Sequence, residues 1–331
     1  MKLTNTQLST LVHNSICHYF DENGRLHLRR FTENQLNTYH QEDPHWVVRA
    51  NASASVTFDF ITDSDFIALK FDLQAGSSQL WGSLDLYVDG VFIKSRYITD
   101  LGVKLAGFEL PAGEHRVTLY FPWSLQIVIN EVLLSDGASL RPVQKKHKIL
   151  CFGDSITQGY ISKYTSLSYV NQMARALDAE VVNQGIGGYY FNEKTIDSSL
   201  TLYQPDLITV AYGTNDYSRY DSRKDFEAYT GAYIRKLETL FPNATIVGIL
   251  PIYRNDQNHL SRSLYREYSL DDARAILRGY YESCAKGHVI EQTGIPHLSD
   301  VYAPDFLHPN EMGFTFMAQG IAQKLESLLN R

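Results

Sequence analysis

The spacing of apolar residues changes near residue 143, and this change most constrains how the chain can fold. Before it, short runs such as residues 56–61 alternate apolar and polar side chains, which is typical of strands with one buried face. Asp89-Gly90 lies between two such runs and indicates a hairpin. Because no helical spacing separates the runs, residues 1–143 are predicted to form an all-β sandwich of the jelly-roll-like type.

Residues 144–331 follow a second pattern, in which short apolar runs alternate with stretches of helical spacing. The predicted strands are 149–152, 180–183, 207–212 and 245–250, and the predicted helices are 166–177, 226–240, 270–284 and the tail from 311. This alternation predicts an α/β domain whose parallel sheet is covered by helices on both faces. Ligands of such sheets bind outside the carboxyl ends of the strands. At 331 residues the chain also exceeds the ~250–300 residues of a usual single core, which favours two domains.

Four polar segments follow predicted strands or precede the last helix, and together they supply the groups that acyl transfer needs. Ser155, in Gly-Asp-Ser, is the candidate nucleophile, and a serine needs a neighbouring base to act at neutral pH. His308 is the candidate base because Asp305 precedes it by three residues. In one helical turn this spacing would place the carboxylate beside the imidazole and orient it toward Ser155. Taken alone, the pair is more typical of a loop histidine beside a helix-capping aspartate, and only the other three segments favour the catalytic interpretation.

An oxyanion formed during attack on an ester needs two or three hydrogen-bond donors. The candidates are the backbone N–H groups of Ser155 and Gly188 and the side-chain amide of Asn215. Gly188 also fits a tight turn that requires positive φ, and Asn215 also fits a helix cap. Asp154 is expected to cap the helix after Ser155 rather than to take part in catalysis.

Composition excludes several other classes of function. The formal net charge is −7 with both signs dispersed, which argues against a nucleic-acid or anionic membrane partner. Three scattered cysteines and the absence of metal-binding or dinucleotide motifs predict neither a metal nor a cofactor. The N-terminal segment lacks the apolar stretch of a secretory signal, so a cytoplasmic protein is expected. Assembly into a homo-oligomer stays open.

At these motifs the chain resembles the SGNH (GDSL-type) hydrolase superfamily. Residues 153–155 resemble its first block, 183–188 its second, 213–216 its third and 305–309 its last. The resemblance implies a flavodoxin-like three-layer α/β/α fold and a metal-independent serine esterase, with roles for the site residues like those argued above. Phe306 stands where the family often has glycine, which predicts a narrower pocket beside the base.

The N-terminal half is similar to the β-sandwich modules of two-domain SGNH carbohydrate esterases, including family 2 acetylesterases, through Gly-Ser-Leu-Asp-Leu-Tyr at residues 82–87. We therefore expect hydrolysis of short-chain acyl esters, acetyl first, on a carbohydrate or another small polar molecule. Transfer of the acyl group to an alcohol acceptor is the alternative. A glycan-binding protein with an inactive hydrolase domain is less favoured, because the candidate residues are intact. The sandwich is expected to form a wall of the site or an assembly surface.

Overall fold

The N-terminal region is built around two antiparallel sheets packed face to face. The structure is a computed structural model that describes residues 1–254, 266–291 and 293–330. The first sheet has the order β1-β4-β9-β6-β7 with β11 beside β4, and the second has the order β2-β3-β10-β5-β8. The strands are β1 (Val12–His13), β2 (Cys17–Phe20), β3 (Leu26–Arg29), β4 (Thr57–Thr62), β5 (Phe66–Ala75), β6 (Gly82–Val88), β7 (Val91–Ile98), β8 (Gly102–Glu109), β9 (His115–Tyr120), β10 (Leu125–Leu134) and β11 (Arg141–Pro142).

The sandwich confirms the predicted alternation of buried and exposed side chains. In β5, Ile67, Leu69, Phe71 and Leu73 are buried in a core shared with the facing sheet. The hairpin between β6 and β7 turns at residues 89–90, both with positive φ, as a two-residue hairpin of the right twist requires. The period of two in the sequence therefore determines which face of each strand is buried.

Three helices in the N-terminal region correct the prediction that residues 1–143 are all-β. They are α1 (Asn5–Leu11), α2 (Glu33–Glu42) and α3 (Pro44–Ala50). Thr32 caps α2 by accepting from the Gln35 N–H, and Asp43 caps α3, which has proline at its first position. Sequence reasoning missed α2 because only two large apolar residues of this polar helix are buried, Leu36 and Tyr39. An apolar stripe of only two large residues is too narrow to produce a recognisable helical period in the sequence.

The C-terminal region contains the predicted parallel sheet, which has five strands instead of the four expected, in the order β13-β12-β14-β15-β16. This strand order is that of flavodoxin-like folds. The strands are β12 (His147–Gly153), β13 (Ala179–Gly185), β14 (Leu207–Ala211), β15 (Thr245–Ile249) and β16 (Gly287–Ile290). The described helices are α4 (Ser155–Gln158), α5 (Tyr169–Leu177), α6 (Thr214–Arg219), α7 (Arg223–Leu240), α8 (Leu270–Ser283) and α9 (Glu311–Leu329), with short 3₁₀ helices at Thr165–Leu167, Glu193–Thr195, Ser198–Leu202 and Ser299–Val301. Among the described residues, no helix is both long and apolar enough to cross a membrane.

Helices cover both faces of this sheet and make three layers. On β12, Ile149 and Cys151 face a core formed with α5 and α9, whereas Leu150 and Phe152 face a core formed with α7 and α8. Residues of α2 pack into this second core beside α7 and α8. The predicted boundary between residues 143 and 144 falls between β11 and β12, yet part of the first region completes a helical layer of the second.

Arg30 links the two regions at the end of β13. Its side chain is 1% exposed. The guanidinium donates to five backbone carbonyls, those of Ala52, Asn183, Gly185, Arg49 and Ala50, at 2.5–3.3 Å. A buried charge is tolerated only when its donors are satisfied, and here each acceptor is a backbone oxygen. The contacts hold the carboxyl end of β13 against the N-terminal region, immediately before the Gly187-Gly188 turn.

Candidate active site

Ser155 lies at the edge of the sheet where ligands of this fold bind. It follows β12, an inner strand of the sheet, whose neighbours on either side are β13 and β14, so the chain connections diverge at this point. Asp154 caps α4 by accepting from the Ile156 N–H at 2.9 Å, which confirms the expected capping role. Burial raises the pKa of Asp154 to about 7. Ser155 is half-buried, with its hydroxyl facing His308.

The side chains of Ser155, His308 and Asp305 form a continuous hydrogen-bonded relay. Ser155 Oγ lies 2.7 Å from His308 Nε2, and His308 Nδ1 lies 2.6 Å from Asp305 Oδ2. The other carboxylate oxygen of Asp305 accepts from the backbone N–H groups of Leu307 and His308, both at 3.0 Å. Because the Asp305 carboxylate accepts a hydrogen bond from Nδ1–H, the other ring nitrogen, Nε2, can accept the proton of the serine hydroxyl.

A non-helical turn, not the helical turn expected from sequence, brings Asp305 and His308 together. Phe306 adopts φ of +51°, which interrupts any helix between them. Left-handed backbone at this position accounts for the preference for glycine there. The prediction that Phe306 narrows the pocket was wrong, because its side chain is 42% exposed and Leu307 lines the cleft instead.

The environment of His308 holds it in the neutral form that a general base needs. Burial lowers the pKa of His308 below its usual 6.5, although the hydrogen bond and charge of Asp305 act in the opposite direction. The nearby Arg254 guanidinium lowers it further. For Asp305, burial works to raise the pKa, but hydrogen bonds from His308 and from the Leu307 N–H bring it below its ordinary value. At neutral pH the pair is therefore an imidazole beside a carboxylate.

This charge state predicts the pH dependence of turnover. The rate constant kcat/KM should be constant at neutral pH and fall as the pH drops through the His308 pKa, with a midpoint below 6.5, because the protonated ring accepts no proton from Ser155. Asp305→Asn should move the midpoint lower still, since the partner that raises the pKa is lost. Initial rates on a neutral ester between pH 4 and 9 measure both. A midpoint above 6.5 in the wild type would contradict the prediction.

The three predicted oxyanion donors belong to residues that line one cleft, Ser155, Gly188 and Asn215. The backbone N–H groups of Ser155 and Gly188 form no hydrogen bond with any residue that the structure describes. Asn215 donates one amide hydrogen to the Tyr189 carbonyl at 2.9 Å, which leaves the second for a ligand. Gly188 has φ of +83°, so the tight turn and the free N–H occur together. Asp216, rather than Asn215, caps α6, because it accepts from the Gly213 N–H at 3.1 Å.

These groups open onto a small cleft of about 220 Å³. Three lining residues come from the N-terminal region, Arg49, Ser77 and Ser78. The rest of the lining is Ser155, Gln158, Tyr160, Gly187, Gly188, Asn215, Leu307 and His308. Sequence reasoning missed Arg49, Ser77 and Ser78. No local pattern distinguishes Arg49, for example, from the other arginines of the chain.

Tyr160 is the tyrosine in the lining of this cleft. Its hydroxyl is 2.9 Å from Ser78 Oγ, and its ring is 4.7 Å from the His308 ring. Tyr190 and Arg219 line a separate cleft, while Tyr189 and Tyr217 are buried. Among the described residues, no group of three or more His, Cys, Asp or Glu is arranged to hold a metal ion.

The sequence of this chain is similar to those of known proteins. The model of the GDSL-like lipase/acylhydrolase family matches residues 151–315. An acetylxylan esterase/glucomannan deacetylase of Cellvibrio japonicus (strain Ueda107) is 31% identical over 263 residues, which are 64% of this chain and 72% of that protein.

Solved structures share the architecture of both regions. A salicylyl acyltransferase from a tetracycline biosynthetic pathway has a TM-score of 0.81 at 21% identity, covering 96% of this chain and 94% of that one. A GDSL-like lipase from Bacteroides ovatus has a TM-score of 0.78 at 19% identity, covering 100% and 98%. A family two carbohydrate esterase from Clostridium thermocellum has a TM-score of 0.67 at 16% identity, covering 84% and 94%. With the family match and the 31% identical relative, we conclude that the chain belongs to the GDSL-like lipase/acylhydrolase family and is a carboxylic ester hydrolase.

Proposed function

We propose that this enzyme removes short acyl groups, acetyl first, from a carbohydrate through a Ser155–His308–Asp305 triad and an acyl-enzyme. The observation that carries the proposal is the unbroken relay from Asp305 Oδ2 to Ser155 Oγ, which faces a cleft supplied with three free donors. Nucleophile, base, orienting carboxylate and oxyanion donors are the complete set that acyl transfer requires.

The reaction takes place in two steps, acylation and deacylation of Ser155, and each step passes through a tetrahedral intermediate. Ser155 Oγ attacks the ester carbonyl carbon while His308 Nε2 takes the hydroxyl proton. The developing oxyanion accepts from the N–H groups of Ser155 and Gly188 and from the Asn215 amide. As the intermediate collapses, His308 returns the proton to the departing sugar hydroxyl and the acyl group stays on Ser155. Water, deprotonated by His308, then attacks the acyl-enzyme and releases the carboxylic acid with Ser155 restored.

The size and lining of the cleft support a short acyl chain and a polar leaving group. A volume of about 220 Å³ is below the ~300–1,000 Å³ of pockets that hold drug-sized ligands. Hydroxyl groups of Ser77, Ser78 and Tyr160 line it together with the Arg49 guanidinium, and such groups can hydrogen-bond a sugar. The relative from Cellvibrio japonicus is itself named as an acetylxylan esterase/glucomannan deacetylase.

A chain-length series tests the proposal. With p-nitrophenyl acetate, butyrate and octanoate, kcat/KM should fall by about 10–100-fold from acetate to butyrate and further to octanoate, since overfilling a packed site costs ~1–3 kcal/mol. Acetate release from acetylated xylo- and manno-oligosaccharides should accompany it, and Ser155→Ala should abolish both. A preference for octanoate would exclude the short-chain assignment.

The same assay separates the alternatives. Adding alcohol acceptors distinguishes hydrolysis from transfer, because a transferase would form a new ester instead of free acetate. Wild-type rates equal to those of Ser155→Ala on every ester would instead indicate a glycan-binding protein without esterase activity.

A further inference from the structure

The peptide group that joins Gly187 to Gly188 is held from outside the region matched by the family model. Its N–H is the Gly188 donor that faces the cleft, and its carbonyl oxygen accepts a hydrogen bond from Arg49 Nη1. A trans peptide is planar, so its C=O and N–H point in opposite directions. A donor that fixes the carbonyl therefore also fixes the direction of the Gly188 N–H.

Contacts with neighbouring residues hold Arg49 in this position. It lies on α3, where its guanidinium stacks over the Trp46 ring with 5.0 Å between Cζ and the ring centroid. Its backbone carbonyl accepts from Arg30 Nη2 at 3.0 Å, which ties this end of α3 to the buried Arg30. Gly188 packs directly beneath the side chain, since a Cβ there would lie 3.0 Å from Arg49 Nη1. The guanidinium thus covers the turn and reaches one specific oxygen.

The preceding peptide group is held as well. Gln158 Oε1 accepts from the Gly187 N–H at 2.8 Å, and Gln158 in turn donates to the Trp123 carbonyl at 3.1 Å. Both peptide groups around Gly187 therefore have side-chain partners, whereas the Gly188 N–H keeps none among the described residues. This is the arrangement of a preorganised donor, which needs no reorientation when charge develops.

We propose that Arg49, a residue of the N-terminal region, is the positioning residue of the oxyanion hole. It orients the Gly188 N–H through the Gly187 carbonyl, and its positive charge polarises that peptide group so that the N–H becomes a stronger donor. This inference rests on the proposed function, because it concerns the oxyanion formed when Ser155 attacks. It assigns to the N-terminal region a part in catalysis and not only in shaping the cleft.

Arg49 variants test this with p-nitrophenyl acetate. Losing one oxyanion donor costs about 10²–10³-fold in rate, so losing only its support should lower kcat by about 10–100-fold with KM within about threefold. Arg49→Met removes the donor and charge while keeping apolar bulk over Gly188. Arg49→Lys keeps a donor and the charge and should recover part of kcat, and guanidinium ion should restore part of the activity of Arg49→Ala.

Arg96→Met is the matched control. Arg96 likewise donates to a backbone carbonyl, that of Gly107 at 2.8 Å, and stacks on Phe108, but it lies on the exposed side of the sandwich away from the cleft. It should leave kcat unchanged. Thermal unfolding of each variant and its rate of inactivation by a p-nitrophenyl phosphonate, which also places an oxygen in the oxyanion hole, complete the measurement.

The outcomes separate this inference from the proposed function. If the wild type is active, Ser155→Ala is inactive and Arg49→Met keeps the wild-type kcat, the positioning role is wrong and the esterase assignment stands. A rise in KM alone would make Arg49 a substrate-binding residue and would also overturn it. If Ser155→Ala retains the wild-type rate, the proposed function fails, and the inference about Arg49 fails with it.

Discussion

Ser155→Ala and His308→Ala should each lower kcat for ester hydrolysis by about 10⁴–10⁶-fold, the largest effects expected from any substitution in this chain. Each removes one member of a relay whose hydrogen bonds measure 2.7 and 2.6 Å. Without Ser155 no acyl-enzyme forms, and without His308 the serine hydroxyl keeps its proton. Because the two residues act as a unit, the double variant should be no slower than either single variant.

Burst and steady-state kinetics on p-nitrophenyl acetate measure these effects. His115→Ala is the control for the histidine, since His115 Nδ1 also lies 2.6 Å from an aspartate, Asp89, but on the sandwich surface. It should keep the wild-type rate. Asp305→Asn should fall between wild type and His308→Ala, because the carboxylate orients the ring without touching the substrate. Residual activity of His308→Ala within tenfold of wild type would exclude His308 as the base.

Arg30→Met should lower the free energy of unfolding by about 3–5 kcal/mol. The side chain is 1% exposed and donates to five carbonyls, each of which loses this donor in the variant. An unsatisfied buried acceptor costs ~1–3 kcal/mol, and relief from burying the charge offsets only part of the total. The loss should appear as a lower midpoint of urea unfolding, and as faster proteolysis if the variant folds marginally.

Arg25→Met provides the comparison for Arg30. The Arg25 side chain is 37% exposed and pairs with Asp21 on the surface, so its loss should cost under ~1 kcal/mol. Equal unfolding midpoints for the two variants would show that the Arg30 contacts do not hold the two regions together. Because the carbonyl of Arg49 is among the Arg30 acceptors, a folded Arg30 variant should also be slower in turnover.

Local pattern was sufficient to predict the sandwich and four of the five strands of the parallel sheet. The period of two along β5 and the alternation of strands with α5, α7 and α8 follow from which side chains must be buried. The sequence shows this directly, because each residue is either apolar or polar. Ser155, Gly188 and Asn215 were found because each follows a strand, and parallel strands end at one edge of their sheet. The polar helices α2 and α3 were missed because their burial depends on a partner surface, not on their own periodicity.

Neighbours within one strand, helix or turn were enough to predict two kinds of domain, the sheet edge where the candidate site lies and the residue types that gather there. Which distant segments complete the cleft depends on the path of the whole folded chain. The contact between Arg49 and the Gly187 carbonyl joins positions 138 residues apart, and Arg30 reaches Gly185 across 155. Such contacts follow from the path of the folded chain, and an arginine that will meet a backbone oxygen so far away has no local signature. The non-helical turn at Phe306 also depends on the tertiary structure. Its left-handed backbone is unfavourable for phenylalanine and is maintained by the residues around it.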